Sequence, residues 1–171
     1  MTRLFVAAWP PDDVVDHLHG LTRIEPVGGE RRVAPENWHI TLRFLGDADP
    51  DELIERLAVA ALPPVTATLG PDVTDFERAQ IVIPVEGIDP LAEAVRAATL
   101  DLGEPPKHQF RAHLTLARTK KKAQPNLLGK PFQANFEINE IRVVSSDLQP
   151  TGPVYTTIAT MQTDPARPPR R

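Results

Sequence analysis

The sequence predicts an α+β protein that consists of two related halves. Short apolar runs rich in β-branched residues alternate with amphipathic helical segments over most of the chain, and the C-terminal part contains strands alone. A four-residue unit, His-x-Thr-Leu, occurs at residues 39–42 and again at 113–116, each time within an apolar run that favours a β-strand. The two copies begin 74 residues apart, and this spacing indicates a duplicated half.

The first half is predicted to run strand, helix, motif strand, helix. An apolar run at 4–9, closed by two prolines, reads as a buried strand, and the helix at 11–21 has two aspartates in its first turn and an apolar stripe at helical spacing. The first motif strand, 38–45, ends at a glycine. An Asp-Pro pair then starts a second helix at 49–61, which two prolines terminate.

The second half is predicted to run two strands, helix, motif strand and then strands alone. Its first two strands, 65–69 and 79–85, are joined by a segment containing Asp72, Asp75 and Phe76. A third helix is predicted at 91–102, since an Asp-Pro pair precedes an apolar stripe. The remaining predicted strands are the second motif strand at 110–118 and three closing strands at 132–136, 138–145 and 154–161.

Length and composition predict one domain at 1–162, followed by a disordered Pro- and Arg-rich tail at 163–171. The chain has no cysteine, which excludes disulfides, thiolate metal sites and a cysteine nucleophile. No apolar run reaches the roughly 18 residues of a membrane span, so we expect a cytoplasmic monomer without membrane attachment. The net charge of −4 argues against a long basic nucleic-acid face, so a nucleic-acid partner, if there is one, should be an RNA end or a short oligonucleotide rather than a duplex.

Each His-x-Thr-Leu unit predicts an imidazole and a hydroxyl on one face of a strand, because residues two apart along a strand point to the same side. Two units facing each other would place His39 and His113 across a cleft, with Thr41 and Thr115 beside them. Such a pair can supply a general acid and a general base to one phosphate, although alternation alone does not assign the two roles. The apolar neighbours make a poor metal site, and we expect neither metal nor cofactor.

Four further residues near the motifs are candidate substrate contacts. Arg118, five residues after His113, should point to the opposite face unless the strand ends or bulges first. Arg43, four residues after His39, should lie on the histidine's face if the strand stays regular. Phe44 and Phe110 are either base-stacking residues or core residues.

The two units resemble the signature of the 2H phosphoesterase superfamily, and most closely its LigT-like branch of RNA 2′,3′-cyclic phosphodiesterases. The likeness extends over residues 2–161. Beyond the two units it rests on the first strand at 4–7, the run from Asn37 to Gly46, Phe110, Arg118, and the closing segment Gly152-Pro153-Val154-Tyr155.

This resemblance implies a bilobal LigT-like fold, in which two antiparallel sheets related by a pseudo-twofold form a V-shaped cleft with helices outside. It implies opening of a terminal 2′,3′-cyclic phosphate to a 2′-phosphomonoester without a metal. His39 would then be the general acid at the departing 3′ oxygen and His113 the base that activates water. Thr41, Thr115 and Arg118 would hold the phosphate.

Three alternatives remain open at the level of sequence. One is 2′-5′ RNA ligation, in which an RNA 5′-hydroxyl replaces water. Another is hydrolysis of a small-molecule cyclic nucleotide. The third is a nucleotide-binding module without turnover, which should have lost one of the two units, whereas both are intact.

Overall fold

The structure is a computed structural model that describes residues 2–77, 79–120 and 122–164. Its strands are β1 (Thr2–Ala8), β2 (Glu30–Arg32), β3 (Ile40–Ala48), β4 (Val65–Leu69), β5 (Thr74–Phe76), β6 (Gln80–Glu86), β7 (His113–Thr119), β8 (Ala134–Ile138), β9 (Glu140–Gln149) and β10 (Gly152–Gln162). Its helices are α1 (Asp12–Leu21), α2 (Pro50–Val59) and α3 (Asp89–Ala98), with a short 3-10 helix at Pro35–Asn37. The predicted α+β class is confirmed.

The strands form two antiparallel halves that a single residue pair connects. One half has the order β10-β9-β1-β3 and the other β7-β6-β4-β8, with β2 added at β7 and β5 at β6. Between the halves, β3 and β7 pair only through Ile40 and Leu114. The motif strands therefore separate on both sides of this pair, and the predicted arrangement of two sheets around a cleft is confirmed.

The pseudo-twofold is visible in the order of the elements. A strand, a helix and a motif strand occur in this order as β1-α1-β3, with β2 and the 3-10 helix inserted before β3, and as β6-α3-β7. The connecting residues Ile40 and Leu114 each come directly after a motif histidine and face each other in an antiparallel pair. The pseudo-twofold axis therefore passes through this pair, with one histidine on each side.

The apolar side chains of the sheet divide it into a helix side and a cleft side. On β1, Leu4 and Val6 join the main core, to which all three helices contribute buried residues. Phe5, which lies between them, belongs instead to a small separate cluster with Ala7 and Val144. Because all three helices pack on one face, the opposite face is left for the cleft.

Several elements differ from the prediction; for example, α3 ends at Ala98 rather than at residue 102, and β9 continues to Gln149 rather than ending at residue 145. The segment before β6 contains the short strand β5, which pairs with β6. The second motif strand begins at His113 rather than at residue 110, because β3 has already diverged and offers no partner there. Of the predicted tail, Thr163 and Asp164 donate backbone hydrogen bonds to the domain, and 165–171 lie outside the described residues.

Within the described residues, none of the helices has the length and apolar character that a membrane crossing requires.

Gly103 fixes the loop that returns from α3 to β7. Its φ is +61°, and a Cβ there would lie 2.3 Å from the carbonyl oxygen of Leu45. The same oxygen accepts a hydrogen bond from the Glu104 N–H at 2.7 Å, so the loop approaches the free edge of β3 closely.

Replacing Gly103 with alanine should lower the free energy of unfolding by about 1–3 kcal/mol, because the change introduces both a clash and backbone strain. Gly28→Ala is the matched control. A Cβ at Gly28 meets nothing within 4 Å, and its effect should stay within about 0.5 kcal/mol. Equal denaturation midpoints for the two variants would contradict this account of the loop.

Candidate active site

His39 and His113 are held in the same way, by a hydrogen bond from Nδ1 to the backbone. His39 Nδ1 lies 2.6 Å from the carbonyl oxygen of Asn37, and His113 Nδ1 lies 2.7 Å from that of Arg111. Since a carbonyl oxygen only accepts, each Nδ1 carries the proton. In the neutral imidazoles, Nε2 is then the unprotonated nitrogen and is free to take up a proton.

Three aromatic rings surround His39. Phe5, Trp9 and Tyr155 lie with ring centroids 5.1, 5.1 and 5.5 Å from its imidazole, and the Trp9 ring is stacked on it. The resulting burial lowers the pKa of His39 below its usual 6.5, against the opposing effect of the hydrogen bond to Asn37. The positive charges of His113 and Arg118 lower it further.

His113 has a more open and more cationic environment. Phe76 meets its ring edge-on at 4.8 Å, and the Arg111 guanidinium lies 4.2 Å from the centroid of Phe76. Burial is the largest cause of a lowered pKa at His113, opposed by its backbone hydrogen bond and reinforced by the charges of Arg111 and Arg118.

The two motif threonines differ in their partners. Thr41 Oγ1 lies 3.1 Å from His39 Nε2 and donates to that nitrogen while the imidazole is neutral. Thr115 Oγ1 instead donates to Gln80 Oε1 at 3.4 Å. In the part of the chain that the structure describes, His113 Nε2 has no hydrogen-bond partner, which leaves it available to a water molecule.

A β-bulge follows each histidine at the same position of the motif. In β3, Thr41 pairs with Ala7 and Arg43 with Val6, so Leu42 is the extra residue. In β7, Thr115 and Ala117 pair with adjacent residues of β6, so Leu116 is the extra residue. Each bulge reverses the alternation, which moves the fifth residue after the histidine onto the cleft face and the fourth onto the helix side.

Arg118 is the fifth residue after His113, and the bulge brings it to the cleft face. Its positive charge is the smallest of the causes that lower the pKa of His39 and of His113. It also acts on Tyr155, whose pKa is raised by burial and lowered in turn by Arg118. The sequence left open whether Arg118 points away from His113 or, after a bulge, to the same face. The structure contains the bulge and has the second orientation.

Arg43 is the fourth residue after His39, and the expectation that it lies on the histidine's face is wrong. The bulge at Leu42 turns its side chain to the helix side, where only 5% of the residue is exposed. Its guanidinium donates hydrogen bonds to the carbonyl oxygens of Leu102 at 3.0 Å and Phe44 at 3.2 Å. Arg43 therefore ties β3 to the segment after α3.

Phe44 and Phe110 are not core residues, since they are 44% and 39% exposed. Both line a groove of about 780 Å³ beside α3. Phe110 also lines a neighbouring groove of about 500 Å³ that contains His113 and Phe76. The two grooves thus form a path that leads from one histidine to both exposed phenylalanines.

The cleft collects arginines although the chain is acidic overall. Arg111 and Arg118 act on His113, and the Arg142 guanidinium lies 5.0 Å from the ring centroid of Trp9. The cleft face is therefore more positive than the net charge of the whole chain suggested. Among the described residues, no group of three His, Asp or Glu side chains is placed to hold a metal ion.

The aromatic neighbours of His39 and the partners of His113 were not identified from the sequence. Alternation along β1 could have indicated that Phe5 lies on the cleft face, because it points to the side opposite Leu4 and to the same side as Ala7. Tyr155 lay in the closing segment that resembles the family, but its place beside His39 depends on the pairing of β10 with β9.

Replacing Arg118 with glutamine should raise the pKa of both His39 and His113, because the substitution removes a positive charge that disfavours both imidazolium ions. NMR titration of the imidazole resonances measures both values. Arg96→Gln is the control, since Arg96 lines the groove beside α3 but acts on neither imidazole. Unchanged values in the Arg118 variant would contradict the placement of this residue.

Comparison with known proteins agrees with this geometry. A sequence profile of the 2′-5′ RNA ligase superfamily matches residues 10–150. A protein of Thermus thermophilus named RNA 2′,3′-cyclic phosphodiesterase is 33% identical over 91% of this chain and 87% of its own length. One of the same name from Archaeoglobus fulgidus is 30% identical over 90% of this chain and 96% of its own length.

Solved structures share the fold. The crystal structure of TT0787 of Thermus thermophilus superposes with a TM-score of 0.79 at 26% identity, covering 94% of this chain and 97% of that one. Escherichia coli LigT complexed with 3′-AMP has a TM-score of 0.77 at 23% identity with the same coverage, and supports the fold alone. With its two His-x-Thr-Leu units, the matched profile and these relatives, the chain belongs to the 2′-5′ RNA ligase superfamily, as its resemblance to the 2H phosphoesterases implied.

Proposed function

We propose that this protein opens the 2′,3′-cyclic phosphate at an RNA end to a 2′-phosphomonoester, using two histidines and no metal. The observation that carries the proposal is the paired anchoring of His39 and His113, each through Nδ1, with Arg118 acting on both. The names of the Thermus and Archaeoglobus relatives support the choice of substrate.

In the proposed reaction, His113 Nε2 accepts a proton from water, and the water oxygen attacks phosphorus opposite the 3′ oxygen. The bond between phosphorus and the 3′ oxygen breaks, and His39 Nε2 donates a proton to that oxygen. The unpartnered Nε2 of His113 supports its role as base. The role of His39 as acid rests on the family resemblance.

Thr41, Thr115 and Arg118 are proposed to contact the non-bridging phosphate oxygens, where negative charge increases in the transition state. Both threonines lie two residues after a histidine in the motif strands, and Arg118 reaches the same face through its bulge. The negative charge of the bound phosphate favours the imidazolium form of His39, which the free protein disfavours through burial.

Phe44 and Phe110 are proposed to stack on a base of the substrate. Both are exposed, both line the groove beside α3, and this groove continues to His113 through Phe110. Stacking on an aromatic ring contributes about 1–3 kcal/mol per base and tolerates different bases. One chain carries both histidines, so a monomer is sufficient for this chemistry, and the cytoplasm is its proposed location.

Ligation is the second candidate function, because the family description names it. An RNA 5′-hydroxyl would take the place of water at His113, and the same acid at His39 would protonate the 3′ oxygen. A small cyclic nucleotide as substrate and a binding module without turnover are the remaining alternatives.

Replacing either His39 or His113 with alanine should lower the rate of cyclic phosphate hydrolysis by about 100-fold or more, because each change removes one proton-transfer group. The assay uses adenosine 2′,3′-cyclic phosphate and an RNA with the same end, in EDTA, with the phosphate isomer of the product identified. The 2′-phosphate is the expected product.

His17→Ala is the control for this experiment, since His17 is exposed on α1 and its ring lies 4.3 Å from that of Phe132, away from both motif histidines. Its activity should equal that of the wild type. An inactive wild type, or histidine variants with undiminished activity, would contradict the catalytic role and would mean that the two His-x-Thr-Leu units are structural or bind a ligand.

The pH profile of kcat/KM should be a bell with its maximum below pH 6.5. The base must be unprotonated and the acid protonated, and both histidines have a pKa lowered from 6.5 by burial. The rate should therefore already be falling at pH 6.5 and should continue to fall through neutrality, because most of the acid has lost its proton by then. Arg118→Gln should move the whole bell to higher pH, and an unmoved or alkaline profile would contradict the assignment.

A further inference from the structure

We propose that Arg31, which lies opposite Arg118 on the neighbouring strand, is the cation of a second anion site that binds the internucleotide phosphate preceding the terminal nucleotide. The inference rests on the proposed function and narrows its substrate class to oligonucleotide ends with at least one internal phosphate.

The two arginines face each other across a pair of strands. In the antiparallel pairing of β2 with β7, Arg31 lies directly opposite Arg118, so both side chains are on the cleft face. Like charges in such a position destabilise a sheet. Neither guanidinium forms an ion pair with a carboxylate among the described residues, although Arg32, next to Arg31, is paired with Glu30. Two neighbouring guanidinium groups without a carboxylate partner are suited to bind two phosphates, the terminal one at Arg118 and a further one at Arg31.

One hydrogen bond positions the Arg31 side chain and leaves its other N–H donors available. Its Nη2 donates to the carbonyl oxygen of Thr151, in the turn between β9 and β10, at 2.5 Å. This contact directs the guanidinium toward the strand that carries Tyr155. A guanidinium has five N–H donors, and this is the single protein hydrogen bond of the Arg31 side chain within the described residues.

The negative charge of the terminal phosphate is balanced without Arg31. A cyclic phosphodiester carries one negative charge, which Arg118 and the imidazolium of His39 already balance. A further cation beside them supplies an attraction for a second phosphate, such as the next one along an RNA strand.

The direction of the ribose agrees with this position. In the proposed reaction the 3′ oxygen departs toward His39, and the sugar continues to C4′ and C5′ on the 3′ side, whereas the base is attached on the 2′ side. The antiparallel direction of the Ile40–Leu114 pair puts His39 beside the end of β7 that carries Arg118. Phe110 precedes β7 at its other end, so base and chain diverge to opposite sides of the cleft.

The test compares three substrates with the same cyclic end. These are adenosine 2′,3′-cyclic phosphate, the ApA dinucleotide 2′,3′-cyclic phosphate, and that dinucleotide with an uncharged methylphosphonate as its internal linkage. Wild-type kcat/KM should be roughly tenfold higher for the charged dinucleotide than for either other substrate, as expected for one charge-assisted contact.

Arg31→Gln should remove this advantage and leave the hydrolysis of adenosine 2′,3′-cyclic phosphate unchanged. Arg31→Lys, which keeps the positive charge, should retain part of the advantage. For the charged dinucleotide, the slope of log kcat/KM against log salt concentration should become shallower by about 0.7 in the glutamine variant, as for one lost phosphate contact. Arg23→Gln, at an exposed arginine after α1, is the control and should change none of these values.

Equal wild-type kcat/KM for the charged and uncharged dinucleotides would overturn the inference while leaving the proposed function intact. An Arg31→Gln variant that slows all three substrates equally would also overturn it, since Arg31 would then only hold the β9–β10 turn. A wild type that hydrolyses none of the three would overturn the proposed function and this inference together.

Discussion

The contact between Ile40 and Leu114 is the constraint on which the cleft depends. It is the only residue pair that joins β3 and β7 in the described residues, and it lies on the pseudo-twofold axis directly after each histidine. A longer ladder would keep β3 and β7 together beyond the histidines and close the sheet over the site, whereas the main core, to which both halves contribute, holds the halves together. One pair holds the two imidazoles on a common face while the strands diverge on either side to form the grooves.

The two histidines are held in equivalent ways because the halves are related by duplication, but their neighbouring residues differ. Both imidazoles are anchored through Nδ1 to a carbonyl two residues earlier, and both motif strands bulge at the leucine of the unit. His39 lies among aromatic rings with Thr41 on its Nε2, whereas His113 lies beside arginines with Nε2 unpartnered. Equivalent residues with different environments are what an acid and a base acting on one phosphate require.

The sequence was sufficient to predict the duplicated half, the three helices and the placement of each histidine and its threonine in one motif strand, because these depend on local periodicity and on an exact repeat. It was insufficient for Arg43 and Arg118, whose orientations both depend on a bulge inside an apolar run that no residue type marks. The rings around His39 come from strands that are distant in sequence, so their convergence follows from sheet order alone. Charge averaged over the chain also concealed the arginines that the fold gathers in the cleft.

The most direct test of the central claim, that both imidazoles act on one phosphate, is an imidazole ¹⁵N NMR titration of the protein with adenosine 2′-phosphate. The account predicts that Nδ1 is protonated in both free histidines, and that the Nε2 signals of His39 and His113 shift along one common saturation curve. A response from only one histidine, or a free protein in which either imidazole carries its proton on Nε2 instead of Nδ1, would contradict it.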